Sequence, residues 1–216
     1  LAFILVGVVT LWVTEALPLP VSALLAAAAC VVAGVAPASE VFRPFSQPLV
    51  FLFIGSFILA EAIRIHRLDR RLAFAVLALP MVGERPIRIM LAVAVVSGVV
   101  SAFISNTATT AMMVAIVAGM LSAVEEAGAK ANCCPKPAFA TGLFLCVAFA
   151  ASIGGLATPI GTPPNVIGLA FIREQLGVHI SFFEWCLIGA PVSICLILLS
   201  TLLLAMSFPS GVGHIE

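Results

Sequence analysis

Apolar residues fill this chain in long runs, and the polar positions between them mark its elements. The first run, Leu1 to about Ala16, stops at Leu17-Pro18-Leu19-Pro20. There each proline removes a backbone donor and resists helix continuation. An Ala-rich second run covers Val21 to Val35, a composition that lets helices approach closely. A polar loop, Pro37 to Gln47, carries Glu40 and Arg43, and a third run covers about Pro48 to Ala62. Ile63 to Leu79 has a different rhythm. Arg64, Arg67, Arg70 and Arg71 recur at spacings of three and four, opposite Ile65, Leu68, Leu72, Phe74 and Leu77. That pattern predicts an amphipathic helix lying in a membrane interface; the alternative is the end of a spanning helix followed by a plain loop.

The next two runs are long and interrupted. Ile89 to Val124 is uncharged over about 36 positions, where one membrane span needs about 20. Ser105-Asn106-Thr107 lies at its centre, followed by Ala108-Thr109-Thr110. Phe139 to Ile172 is also uncharged and ends at Arg173-Glu174. It is broken between Gly154 and Asn165, where Gly161-Thr162-Pro163-Pro164-Asn165 forms a second polar island. Between the long runs, Glu125, Glu126, Lys130 and Lys136 predict a hydrophilic loop. A loop with Gly177 and His179 leads to a last run, about Phe183 to Met206, and a polar tail, Pro209 to Glu216.

Composition fixes the class of these elements. Hydrophobic residues make up 62% and charged residues 9%, against about a quarter charged in soluble domains. The chain is therefore expected to be an all-α polytopic membrane protein. Its formal net charge is zero, so nothing points to nucleic acid. It starts at Leu1 inside an apolar run, without Met or a basic leader, which predicts a fragment of a longer protein. Cys30, Cys146, Cys186 and Cys195 lie in apolar segments as small packing residues. Cys133-Cys134 is a loop pair with no nearby His or second Cys pair, a poor zinc site. Glu61 stands three residues before Arg64 and is expected to pair with it.

Charge also orients the chain. Arg64 to Arg88 and Lys130 with Lys136 are expected on the cytoplasmic side, so 63–88 and 125–136 are assigned there. Ile89 to Val124 then leaves the cytoplasm and returns to it. Two arms of about 16 residues are each about 24 Å long, short of the roughly 30 Å hydrocarbon core. A re-entrant hairpin with its tip at Ser105-Asn106-Thr107 follows. Counting backwards puts the start of the chain outside, with a spanning helix before Leu1.

Both islands have the chemistry of helix ends. Ser105 and Asn106 can cap a helix beginning near Thr107, leaving free N–H groups and the positive end of the dipole at the tip. The arriving arm presents its last carbonyls there. With the hydroxyls of Ser101 and Ser105, which share a face at i, i+4, these suit a hard cation such as sodium. In the second island Gly154-Gly155 can end a helix, and Thr162 is a candidate N-cap, with Pro163 at the favoured first position and Asn165 third. The backbone between Gly155 and Gly161 would be unwound, tolerable in a membrane only where it lines a cavity. Thr158 adds a hydroxyl there. Glu15, beside Trp12, reads as an interfacial carboxylate.

The chain resembles the divalent anion/sodium symporter family. The resemblance rests on Trp12-Val13-Thr14-Glu15-Ala16-Leu17-Pro18-Leu19-Pro20, on Ser105-Asn106-Thr107, and on Ser152-Ile153-Gly154-Gly155 running into Gly161-Thr162-Pro163-Pro164-Asn165. It covers nearly the whole chain, in order. The resemblance implies homodimers that work as elevators, each protomer built of two inverted repeats with a re-entrant hairpin and a discontinuous helix. It places this chain in the first repeat, less its opening helix. Residues 1–62 would be scaffold helices, 63–80 the interfacial helix, 81–174 the transport-domain hairpin and broken helix, and 175–216 the last helix and tail. By the same resemblance Ser101, Ser105, Asn106 and Gly154, with Gly155 beside it, would form a sodium site. Asn106 and Thr107 would contact a substrate carboxylate, with Thr162, Pro163 and Asn165 on the substrate side of the unwound loop.

The reading is thus the N-terminal half of a secondary transporter in a plasma or bacterial inner membrane. It would take up di- or tricarboxylates, or related divalent anions, with sodium as coupling ion and no other cofactor. Membrane lipids and a second copy would be its partners. An anion exchanger or sodium/proton antiporter of the same superfamily is the nearest alternative. A proton-coupled antiporter is disfavoured because neither long run holds a carboxylate. A non-transporting membrane scaffold is the alternative of another class. Enzyme chemistry has little support, because the runs hold no paired His/Asp or Ser/His set.

Overall fold

The computed structural model describes residues 1–46, 48–79, 82, 85–131 and 136–211. Cys133-Cys134 and the end of the tail lie outside them. Among the described residues every regular element is helical. The chain divides into two compact units, Leu1–Leu52 and Phe53–Glu216.

In the first unit α1 (Ala2–Val13) packs on α2 (Leu19–Val32). Trp12 holds the pair together: its indole N–H donates to the Ser22 hydroxyl at 2.7 Å, and that hydroxyl donates to Leu19 O at 2.9 Å. Ser22 is fully buried. Between the helices Glu15 takes the left-handed backbone conformation, φ 50. Its carboxylate is exposed. The loop 37–47 contains structure that periodicity did not show: a one-turn helix α3 (Ala38–Val41) and a 3-10 turn, Arg43–Ser46.

The division between the units falls inside α4 (Pro48–Ile65). Glu61 and Arg64 pair near its end, as their spacing predicts. The basic stretch after α4 is not one continuous helix. Arg67 breaks it with a left-handed conformation (φ 53, ψ 33), and α5 (Leu68–Leu77) follows. α5 buries Ala73 and lies on α6 (Pro86–Ser101).

α6 is the core of this unit. It packs on α5, α7 (Asn106–Ala131), α8 (Pro137–Gly154) and α10 (Phe182–Ser207), most extensively on α8. Met90, Val93 and Val96 of α6, Met113 and Val117 of α7, and Leu143 and Val147 of α8 are all essentially inaccessible. α6, α8 and α9 (Pro163–Leu176) each begin with proline, a residue whose missing N–H costs nothing at that position. α9 ends at Gly177 in the left-handed conformation glycine favours. α10 starts at a capping box: Ser181 accepts from Glu184 N, and the Glu184 side chain accepts from Ser181 N at 2.7 Å. That box is legible as Ser-x-x-Glu and is absent from the expectations above.

α8 and α10 are each long and apolar enough to cross a membrane. Their outer faces carry exposed Phe149, Leu187, Ile188 and Leu199, surfaces suited to lipid and costly in water. One expectation fails. The hydrophilic loop placed at Glu125, Glu126 and Lys130 is helical, because α7 continues to Ala131 over 26 residues. Ala, Glu and Lys are strong helix formers, so the charges lengthen the helix without ending it. Its apolar portion is Asn106–Ser122.

Candidate functional site

Two interruptions of helix meet in the second unit. The first lies between α6 and α7. α6 ends at Ser101, and Phe103 and Ile104 both donate their N–H to Val100 O, at 3.2 and 3.0 Å, tightening the turn. Ser105 then caps α7: its hydroxyl accepts from Ala108 N at 3.3 Å. Asn106 is the first residue of α7 and does not cap it. Its side chain turns back, and the fully buried Ser101 hydroxyl donates to Asn106 Oδ1 at 2.7 Å.

The second interruption lies between α8 and α9. α8 ends at Gly154, with Gly155 at the cap, as expected. Gly155 has φ −59, so it is not needed for backbone freedom. Close approach explains the glycines instead. A Cβ on Gly154 would overlap the backbone of Gly98 on α6. A Cβ on Gly155 would come within 2.6 Å of Asn106 Oδ1, and one on Gly161 within 2.6 Å of Gly155 O. Gly98 was not foreseen as a partner, because the sequence does not show which turn of α6 meets the end of α8.

Side chains of the second break mostly hold its own backbone. The Thr158 hydroxyl donates to Ala102 O, joining the two breaks, and accepts from Gly161 N at 3.1 Å. Asn165 is buried, and its amide nitrogen donates to Gly155 O at 2.8 Å and to Thr158 O at 2.9 Å. Thr162 stands at the N-cap position of α9 but makes no side-chain capping bond. From α10, Trp185 Nε1 donates to Leu156 O at 3.0 Å and Ser193 Oγ to Ile153 O at 3.1 Å. Both contacts stitch α10 to this break, and periodicity gave no sign of them.

Ser101, Asn106, Gly154 and Gly155 are therefore brought to one place. Ser105 and Thr107 are exposed beside it, and Pro163 is exposed at the start of α9. The donors gathered here are neutral oxygens: a hydroxyl, an amide carbonyl and main-chain carbonyls. Hard cations take such ligands. Among the described residues no group of three His, Cys, Asp or Glu side chains could hold a metal. These donor types suit a sodium ion, and a Cβ on Gly155 would press on the same Asn106 Oδ1 that accepts from Ser101. The exposed N-terminus of α7, with Ser105 and Thr107, offers free N–H groups to an anion next to it. On the α10 side an apolar cavity of about 370 Å³ is bounded by Gly98, Ala102, Gly154, Thr158 and Ile197.

The chain resembles known transporters over most of its length. A citrate transporter family model matches residues 9–212. The sodium-dependent dicarboxylate transporter SdcS of Staphylococcus saprophyticus is 36% identical over 196 residues, 89% of this chain and 37% of that protein. The transporter of the same name from Staphylococcus aureus strain USA300 is 32% identical over 193 residues, 88% of this chain and 36% of that protein. The chain thus spans just over a third of the length of these curated relatives.

Proposed function

The chain belongs to the citrate transporter family, among the divalent anion/sodium symporters, and on that premise we propose that it carries one half of the site of a sodium-coupled carboxylate transporter. The family is one of transporters, and the protein is not an enzyme. The substrate is a di- or tricarboxylate or a related divalent anion, and sodium is the coupling ion. The relatives' names support both assignments. The observation that carries the reading is the convergence of Ser101, Asn106 and Gly155 at the meeting of two helix breaks.

In this reading α6 and α7 form a re-entrant hairpin. α6 has 16 residues, about 24 Å, short of a roughly 30 Å core. α8 and α9 form one discontinuous helix, whose unwound residues are tolerated because Asn165 satisfies Gly155 O and Thr158 O and the Thr158 hydroxyl satisfies Gly161 N. Sodium is held by Ser101, Ser105, Asn106 and the Gly154-Gly155 backbone. The substrate carboxylate meets Asn106 and Thr107, with Thr162 and Pro163 on the facing side and Asn165 bracing the loop behind them. An inverted second repeat supplies the other half of the site, and the loaded domain moves as an elevator within a homodimer of a bacterial inner or plasma membrane. Residues 1–62 serve as scaffold and 63–80, broken at Arg67, as the interfacial segment.

Sodium binding removes the Ser101 bond from Asn106 and fixes its amide, so the anion binds a completed site. Asn106→Ala in the full-length protein, reconstituted in liposomes, is expected to lower sodium-driven succinate uptake by at least about tenfold, the cost of one charge-assisted hydrogen bond. Unchanged uptake would overturn the assignment.

A further inference from the structure

The break at Arg67 borders a cavity on the α4–α5 side of the first helix break. A cavity of about 430 Å³ lies between the α4–α5 junction and α7, with Arg64, Arg67, Asp69 and Arg70 on one side and Val100, Ile104, Ala108 and Thr109 on the other. Of the arginines only Arg64 has an ion-pair partner among the described residues, Glu61. The Asp69 carboxylate accepts from Arg70 N at 2.8 Å at the start of α5 and lines the same cavity. Among the described residues Arg67 and Arg70 form no ion pair. Arg67 reaches this place through a left-handed backbone conformation, which costs a non-glycine residue of order 1 kcal/mol and signals a constraint. Thr109, on the same wall, is 1% exposed and its hydroxyl has no partner among the described residues.

A second cavity, about 560 Å³, shares Arg70, Met112 and Ala115 with the first and continues between α5 and α7. Its remaining lining is apolar, with Phe74, Leu77, Ile116 and Met120. A Cβ on Gly119 would meet nothing within 4 Å, so this groove is open. A basic pocket that runs into an apolar groove matches an amphiphile with an anionic head. We propose that it binds one anionic phospholipid, with the phosphate between Arg67 and Arg70 and an acyl chain along α5 and α7. Arginine suits phosphate because its planar fork donates two hydrogen bonds at once. A free phosphate would use the pocket alone and leave the groove unfilled.

The test uses the purified full-length protein and native mass spectrometry in three arms: phosphatidylglycerol, phosphatidylcholine and inorganic phosphate. Phosphatidylglycerol should be retained over phosphatidylcholine, and Arg67→Gln with Arg70→Gln should lower its retention about tenfold or more. Ala115→Phe, which leaves every arginine in place and narrows the groove, should lower it too. Equal retention of both lipids would overturn the proposal and indicate that protein covers this face. So would displacement of the lipid by millimolar phosphate, or unchanged retention in both variants.

Discussion

The two helix breaks are built from the same residue types and use them in opposite ways. At the α6–α7 turn the asparagine stands at the surface of the site. Among the described residues Asn106 receives one side-chain hydrogen bond, from Ser101, and braces no backbone. At the α8–α9 turn the asparagine is buried, and its amide spans Gly155 O and Thr158 O. The first break leaves its oxygens available to a guest, whereas the second spends its polar groups on its own shape. An asparagine at a helix start is thus the proposed ligand in one place and a brace in the other. The difference lies in the local backbone. The tight turn 102–105 takes one side-chain donor from outside, the Thr158 hydroxyl on Ala102 O, while the longer stretch 155–162 takes them on three carbonyls, Gly155 O, Leu156 O and Thr158 O.

The largest expected effects separate the two asparagines. Asn165→Ala leaves two carbonyls short of donors and should cost about 2–4 kcal/mol of stability. Asn106→Ala should cost about 1 kcal/mol, with the loss concentrated in transport. Thermal unfolding and uptake measured on the same samples would show it; equal destabilisation by both changes would erase the distinction. Gly154→Ala comes next. Its Cβ would press on the Gly98 backbone, which cannot rotate aside, so a loss of about 1–3 kcal/mol is expected by thermal melting. If Gly154→Ala melts like the parent, the close crossing of α6 and α8 is wrong.

Much of this contrast could be read in the sequence, and its core could not. Both breaks were legible, because uncharged runs too long for one span carry polar islands. The Ser105-Asn106-Thr107 island lies at the observed start of α7, and Gly154 and Pro163 bound the second break. The last run, Phe183 to Met206, differs from α10 by one residue at each end. Which asparagine braces was hidden, because it depends on where a side chain points after the chain has turned. The reason for the glycines was hidden likewise: Gly154 is small because of Gly98, a residue 56 positions away that only the crossing of α6 and α8 brings near. The kink at Arg67 was invisible because helical periodicity continues through it.

Smaller effects sharpen the same contrast. Thr158→Val removes the bond to Ala102 O that joins the breaks and the support of Gly161 N, and should cost about 1–2 kcal/mol in thermal melts. A neutral result would leave the breaks coupled only by packing. Thr162→Ala should change stability by less than about 0.5 kcal/mol, because the hydroxyl makes no capping bond. A loss near the 1 kcal/mol of a working N-cap would contradict that.

The central claim is that the first break, and not the second, presents the side chain that binds sodium. The direct measurement is the sodium dependence of thermal stability in the full-length protein, its Asn106→Ala variant and its Asn165→Ala variant. A ligand at a hundred times its Kd stabilises the folded state by about 2.7 kcal/mol. The parent should gain a shift of that kind with sodium, Asn165→Ala should keep it from a lower starting point, and Asn106→Ala should lose it. A full sodium shift in Asn106→Ala, with loss of the shift in Asn165→Ala, would reverse the roles assigned to the two breaks.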